Sequence, residues 1–168
     1  MLNPDGRYLT FHSPSKEGYH ASLTHQSGIP QWGKDTRDGQ NVSPPLEWRD
    51  PPQQRRSFAV VVEDPDAPSG IFRHWAIYNI AAGETGLPEN ASKAGPSDVA
   101  QGVNDFGNGH YDGPQPPKGH GPHHYHFRLA ALDVPRLDLP ARTTVEEVWK
   151  AARAHVITET EVIGIYER

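Results

Sequence analysis

The chain has 168 residues with 17 prolines and 16 glycines, yet four tryptophans, six tyrosines and five phenylalanines are spread along it. That length supports one core in a single domain over 1–168, and the aromatic content excludes global disorder. Sixteen basic against 21 acidic residues leave a formal charge of −5 without a basic stripe, which excludes a nucleic-acid footprint. The lack of cysteine excludes disulfides, a thiolate nucleophile and cysteine-based zinc. No apolar run is long enough for a transmembrane segment, and the opening residues lack the basic-then-apolar pattern of a leader, so the chain reads as cytoplasmic.

In chain order, residues 57–62 (SFAVVV) form a β-branched and aromatic run that stops at a proline turn, which predicts a buried strand. Residues 75–80 (WAIYNI) predict a second. The stretch 102–127 is crowded with glycine, proline, histidine and aromatics, a composition suited to a rigid irregular loop that carries function. Residues 125–132 (YHFRLAAL) alternate at first, so Tyr125, Phe127 and Leu129 share one face and His126 and Arg128 a wetter one. Thr143 and Thr144 precede Glu146 and Glu147, so either threonine completes a capping box. Val145, Val148, Trp149, Ala152 and Val156 follow at helical spacing. A short β-branched run around Gly164, residues 161–166, predicts a returning strand. Strands separated by long loops, with one late helix, define a mainly β architecture rather than a doubly wound parallel sheet.

The chemistry concentrates at strand ends. Asp64-Pro-Asp66-Ala-Pro68 follows the first strand, where two prolines hold a turn able to aim one carboxylate inward. The alternative is a solvated turn whose aspartates bond only their own backbone. His74 lies at the adjacent strand end, where a carboxylate could accept from its ring. His123 and Tyr125 stand at i and i+2 and point one way, while His124 and His126 point the other, toward a solvated face. A strand offers at most two ligands per face, too few for zinc, so no metal and no cofactor are expected. The nucleophile elbow, the paired-histidine zinc helix and the phosphate-binding glycine loop of nucleotidases are all missing, and GNGHYDG misses the dinucleotide fingerprint.

Five ordered motifs resemble the phosphatidylethanolamine-binding protein (PEBP) family, specifically its bacterial and archaeal Raf-kinase-inhibitor-like branch. They are NVSPPLEW at 41–48, the DPDAP turn with F-x-H-W-x-x-Y-N at 72–79, G-x-N-D-F-G at 102–107, Y-x-G-P-x-P-P-x-G at 111–119, and H-x-Y-x-F at 123–127. The ending, with Gly164-x-Tyr166, is similar to the branch's closing helix and strand. The resemblance implies a PEBP-like β-sandwich with a C-terminal helix and returning strand. It also implies a small anion pocket lined by Asp64, Asp66, Pro68, His74, Pro114, His123 and Tyr125, and a cis Ala67–Pro68 bond. His124 stands where the family usually has arginine, which removes a guanidinium fork able to brace the turn, and Gln115 stands where the branch often has cysteine.

In such a pocket His74 and His123 can donate N–H bonds and become cationic, Tyr125 adds a hydroxyl, and Asp64 either orients the histidines and supports their charge or is protonated when the ligand is in place. The expected partner is a small anion: a phosphate ester, a carboxylate or a lipid headgroup. A regulatory protein partner and a homodimer stand beside it. The competing reading is an enzyme in which Asp64, His74 and His123 perform general acid–base chemistry.

Overall fold

The computed structural model describes residues 32–168. Seven strands and three helices follow in chain order: α1 (Trp32–Asp35), β1 (Leu46–Glu47), β2 (Ser57–Asp64), β3 (Phe72–Ala81), β4 (Gly86–Leu87), α2 (Ala91–Ala94), β5 (Ala100–Gln101), β6 (His123–Leu132), α3 (Val145–Arg153) and β7 (Val156–Tyr166). The long strands form an antiparallel sheet in the order β5-β3-β2-β6-β7, and β1 pairs with β4 in a second, two-stranded sheet. The mainly β architecture with a late helix and returning strand is the one expected.

β2 is buried at all eight positions because both faces of the large sheet are covered. Phe58, Val60 and Val62 join Trp75, Ile77, Tyr125, Phe127 and Leu129 in a core closed by Leu46 and Leu87 of the small sheet and by Trp48 just after β1. Ala59, Val61, Ala76, Ala130 and Leu132 face the other way, against Val145, Val148, Trp149 and Ala152 of α3. Small residues therefore meet the helix, and large ones fill the space between the sheets. Of the two capping boxes the sequence allows, Thr144 with Glu147 is the one formed: Glu147 N donates to Thr144 Oγ1 (3.3 Å), and Thr144 N to Glu147 Oε2 (2.8 Å). Val156, which fits the helical spacing, instead opens β7, because the helix ends at Arg153.

β3 carries two irregularities against β2. Phe58 pairs with Ile80 and Val60 with Ile77, so three steps on β3 answer two on β2. Asn79 absorbs the extra residue at φ 60, and its Oδ1 accepts from Leu137 N at 2.8 Å. At the other end Val62 pairs with Trp75 and Glu63 with Arg73, leaving His74 as the extra residue. A bulge of this kind turns two consecutive side chains toward one face. His74 accordingly shares the Tyr125 side of the sheet with Trp75, where strict alternation would send it toward the helix.

The cis bond expected at Ala67–Pro68 is corrected: among the described residues every peptide bond is trans. The turn closes by other means. Asp66 N donates to Asp64 Oδ1 (2.9 Å), Gly70 N donates to Ala67 O (3.0 Å), and Gly70 takes φ +99, a backbone shape glycine adopts without steric cost.

Candidate functional site

The C-terminal end of β2, the start of β6 and the bulge of β3 meet at one edge of the inter-sheet core. There they wall a cavity of about 280 Å³ lined by Asp64, Ala67, Pro68, Ser69, Phe72, His74, Phe106, Gln115, Pro116, Pro117, His123 and Tyr125. Five of the seven residues singled out from the sequence therefore line one space: Asp64, Pro68, His74, His123 and Tyr125. Asp66 and Pro114 do not. Asp66 is exposed and accepts from the backbone N (2.8 Å) and Nδ1 (2.7 Å) of His124. Pro114 is buried behind the wall, its carbonyl accepting from Arg37 N at 3.2 Å.

Asp64 is 3% exposed and fills both roles weighed for it. One oxygen closes its own turn through Asp66 N; the other accepts from His123 Nδ1 at 2.7 Å. Burial is tolerable because both oxygens are paired. His123, 1% exposed, is held at its second nitrogen as well: His120 Nδ1 lies 2.8 Å from His123 Nε2. One of these two facing nitrogens carries the proton that joins the rings. The chain Asp64–His123–His120 thus runs from the buried end of β2 to an exposed loop residue.

The carboxylate partner expected for His74 is Asp64; the structure gives that partner to His123. His74 Nδ1 lies 2.8 Å from the backbone carbonyl of Asp112 instead. A carbonyl only accepts, so Nδ1 carries the proton. Phe72, Phe106 and Tyr125 surround the ring at centroid distances of 5.1, 5.7 and 5.2 Å. Burial in this box pushes the His74 pKa down, outweighing the opposite pull of the Asp112 carbonyl and of the Asp64 and Asp112 charges. Burial therefore opposes the cationic state expected of His74.

Asp112 is the positioning residue that sequence reasoning passed over. Its side chain accepts from Asn41 Nδ2 (3.0 Å), Asn104 Nδ2 (2.8 Å) and Asn108 Nδ2 (2.8 Å), with Arg37 Nε at 3.4 Å. Burial would raise its pKa, but the amide bonds from Asn108, Asn104 and Asn41 hold it below the usual carboxylate value. The signal was its place between Tyr111 and Gly113 inside a quoted motif, together with the asparagines of two others. Gly113 follows, and a Cβ there would run into the Asp35 carbonyl. Phe106 is held from outside by the Arg37 guanidinium, 4.1 Å from its ring centroid, and Arg37 also donates to Gln115 Oε1 (3.3 Å).

On the opposite strand face His124 and His126 are not simply solvated. His124 makes a single imidazole contact to Asp66 in place of a guanidinium fork, and against partial desolvation the hydrogen bonds from His124 hold the pKa of the exposed Asp66 down. His126 Nδ1 meets Glu161 Oε2 at 3.0 Å. Among the described residues no three acidic or imidazole side chains are grouped to hold a metal ion.

A buried acid–histidine pair thus stands beside a cavity at the open end of a two-sheet core. The chain matches the family described as phosphatidylethanolamine-binding protein over residues 20–167 and belongs to it. It is 47% identical over 135 residues to a UPF0098 protein of Methanothermobacter thermautotrophicus, covering 79% of this chain and 87% of that one. The crystal structure of Escherichia coli YbcL, described as a member of the mammalian PEBP family, superposes with a TM-score of 0.75 at 38% identity, covering 78% of this chain and 83% of YbcL. A PEBP homologue of Chlamydia trachomatis, CT736, gives 0.76 at 33% identity, covering 89% and 99%. No helix among the described residues is long and apolar enough to cross a membrane.

Proposed function

We propose that the protein is a binding module whose cavity receives the phosphate- or carboxylate-bearing end of a small molecule or lipid headgroup and acts by occupancy. The observation that carries this reading is the cavity itself. About 280 Å³ is room for one small acidic group with part of its carrier, and its walls combine Phe72, Phe106, Pro68 and Pro116 with the polar Asp64, His74, His123, Tyr125 and Ser69. Apolar walls with a few convergent polar groups are the usual make-up of a ligand site. A regulatory protein partner or a second copy of the chain would act through the loops that ring the cavity mouth.

Thermal shift against phosphate esters, carboxylates and headgroups tests the proposal. A ligand at a hundred times its Kd stabilises by about 2.7 kcal/mol, and Asp64→Ala, His74→Ala and His123→Ala should each lose that shift. Silence across the panel with wild-type protein would refute the reading.

The Asp64–His123–His120 chain favours a second reading, acid–base catalysis on a small substrate, because it links a buried carboxylate to an exposed imidazole. Turnover that disappears in both His74→Ala and His123→Ala would replace occupancy with catalysis.

A further inference from the structure

The GNGHYDG run at 107–113 holds the one Asn-Gly step of the whole sequence, Asn108-Gly109. Asparagine before glycine is the step most open to internal attack, because no Cβ shields the glycine nitrogen and the backbone turns freely enough to bring it to the side-chain carbonyl. The fold does not ask for glycine at this position. Elsewhere in the 102–122 loop Gly107, Gly119 and Gly121 take positive φ, and Gly102 and Gly113 are crowded where a Cβ would stand. Gly109 has neither a positive φ nor a neighbour within 4 Å of that point.

The reacting groups are available. Gly109 is exposed, and among the described residues its N–H donates to no acceptor. The backbone of Asn108 is fixed by Asn104, whose Oδ1 accepts from Asn108 N (3.0 Å) and whose N donates to Asn108 O (2.8 Å). The Asn108 side chain makes one hydrogen bond among the described residues, Nδ2 donating to Asp112 Oδ2 at 2.8 Å. That carboxylate therefore faces the nitrogen that would leave. It favours the positive charge the nitrogen gains on departure, and Asp112 is 1% exposed, so little water screens the effect.

We propose that Asn108 is a site of spontaneous deamidation, a modification the chain performs on itself and one that loosens the loop holding His74. The Gly109 nitrogen bonds Asn108 Cγ as the Cγ–Nδ2 bond breaks, and the proton it gives up leaves with Nδ2 as ammonia. Water then opens the cyclic imide, at Cγ to give aspartate or at the backbone carbonyl carbon to give isoaspartate. Either product removes an amide donor and adds a carboxylate. Asp112 keeps the donors from Asn41 and Asn104 but meets a like charge where Asn108 Nδ2 stood, and two close carboxylates in a buried site repel. Because the Asp112 carbonyl accepts from His74 Nδ1 at 2.8 Å, the change reaches the cavity through the loop.

Incubating the purified full chain at mildly alkaline pH and mapping its peptides by mass spectrometry tests the chemistry. The peptide carrying Asn108 should convert to aspartate and isoaspartate before any other asparagine does. Gly109→Ala, which fits the open space without strain, should slow that conversion severalfold and leave the melting temperature unchanged. Asn108→Asp, made directly as one product, should lower the melting temperature by about 2–10 °C. Asn108→Ala, which removes the donor without adding charge, should lower it less. In NMR the His74 Nδ1 proton should exchange with solvent faster in the aged protein and in Asn108→Asp than in fresh wild type.

An Asn108 that is still an amide in the native chain when the urea-denatured chain has converted it would overturn the proposal, as would a Gly109→Ala chain that converts at the wild-type rate. Conversion that leaves both the melting temperature and the His74 proton unchanged, in the aged protein and in Asn108→Asp alike, would overturn the link to the cavity.

Discussion

His74 and Asp112 make one unit at the residue scale: the backbone carbonyl of Asp112 fixes the imidazole, and its carboxylate fixes the loop that carries the carbonyl. Three amide donors converge on a side chain that is 1% exposed, so removing the acceptor strands polar groups in the interior. Because the Asp112 pKa is held down in the folded protein, its stabilisation is complete above the ordinary carboxylate pKa and is lost as pH falls through the depressed one. Asp112→Asn should therefore destabilise by about 1–3 kcal/mol at pH 7. Denaturant titration should find that penalty shrinking below about pH 4, and a pH-independent penalty would contradict the ionised assignment.

At the scale of elements, the bulge at His74 and the 102–122 loop do most to assemble the site. The bulge turns one residue of β3 across the sheet, and the loop supplies Phe106, Asp112, Gln115 and Pro116 around it. Gly113 permits the loop to pass against the Asp35 carbonyl, so Gly113→Ala must shift the backbone beside Asp112. It should lower the melting temperature and weaken ligand binding together. Thr144→Ala is the contrast, since α3 covers the sheet face away from the cavity. Loss of that cap should cost about 1 kcal/mol and leave affinity unchanged. Equal affinities for both variants would show that the loop does not set the cavity.

Across the whole molecule, buried ionisable groups at separate places pull stability in opposite directions with pH. Burial and the nearby Glu89 push Asp35 up to about 7, against the pull of Lys34. A carboxyl with a raised folded pKa binds protons more readily when folded, so its contribution is full at low pH and is lost as pH rises toward 7. His74 is depressed by burial and acts oppositely, its contribution being lost as pH falls below the ordinary histidine value. Asp35→Asn should therefore raise the melting temperature at pH 8 by several degrees, from about 1–3 kcal/mol of relieved burial, with little effect at pH 4. Melting curves across that range check it. An equal shift at both ends would mean that Asp35 is not protonated by folding.

The residues alone determined the strands at 57–62, 75–80 and 125–132, the capped helix and the common facing of His123 and Tyr125, because those features depend on local periodicity and capping. The ordered motifs likewise marked Asp64, Pro68 and His74 as residues of one neighbourhood. What only the tertiary structure decided was which partners those residues take. A single bulged residue reverses the facing of His74, and no alternation rule reveals it. The pairing of Asp64 with His123 and of His74 with a carbonyl depends on strands and a loop far apart in sequence. The trans bond at Pro68 stands in a turn closed by hydrogen bonds from Asp66 N and Gly70 N. The lowering of the His74 pKa comes from burial among aromatic rings brought together from β3, the 102–122 loop and β6, an effect that exists only once they pack.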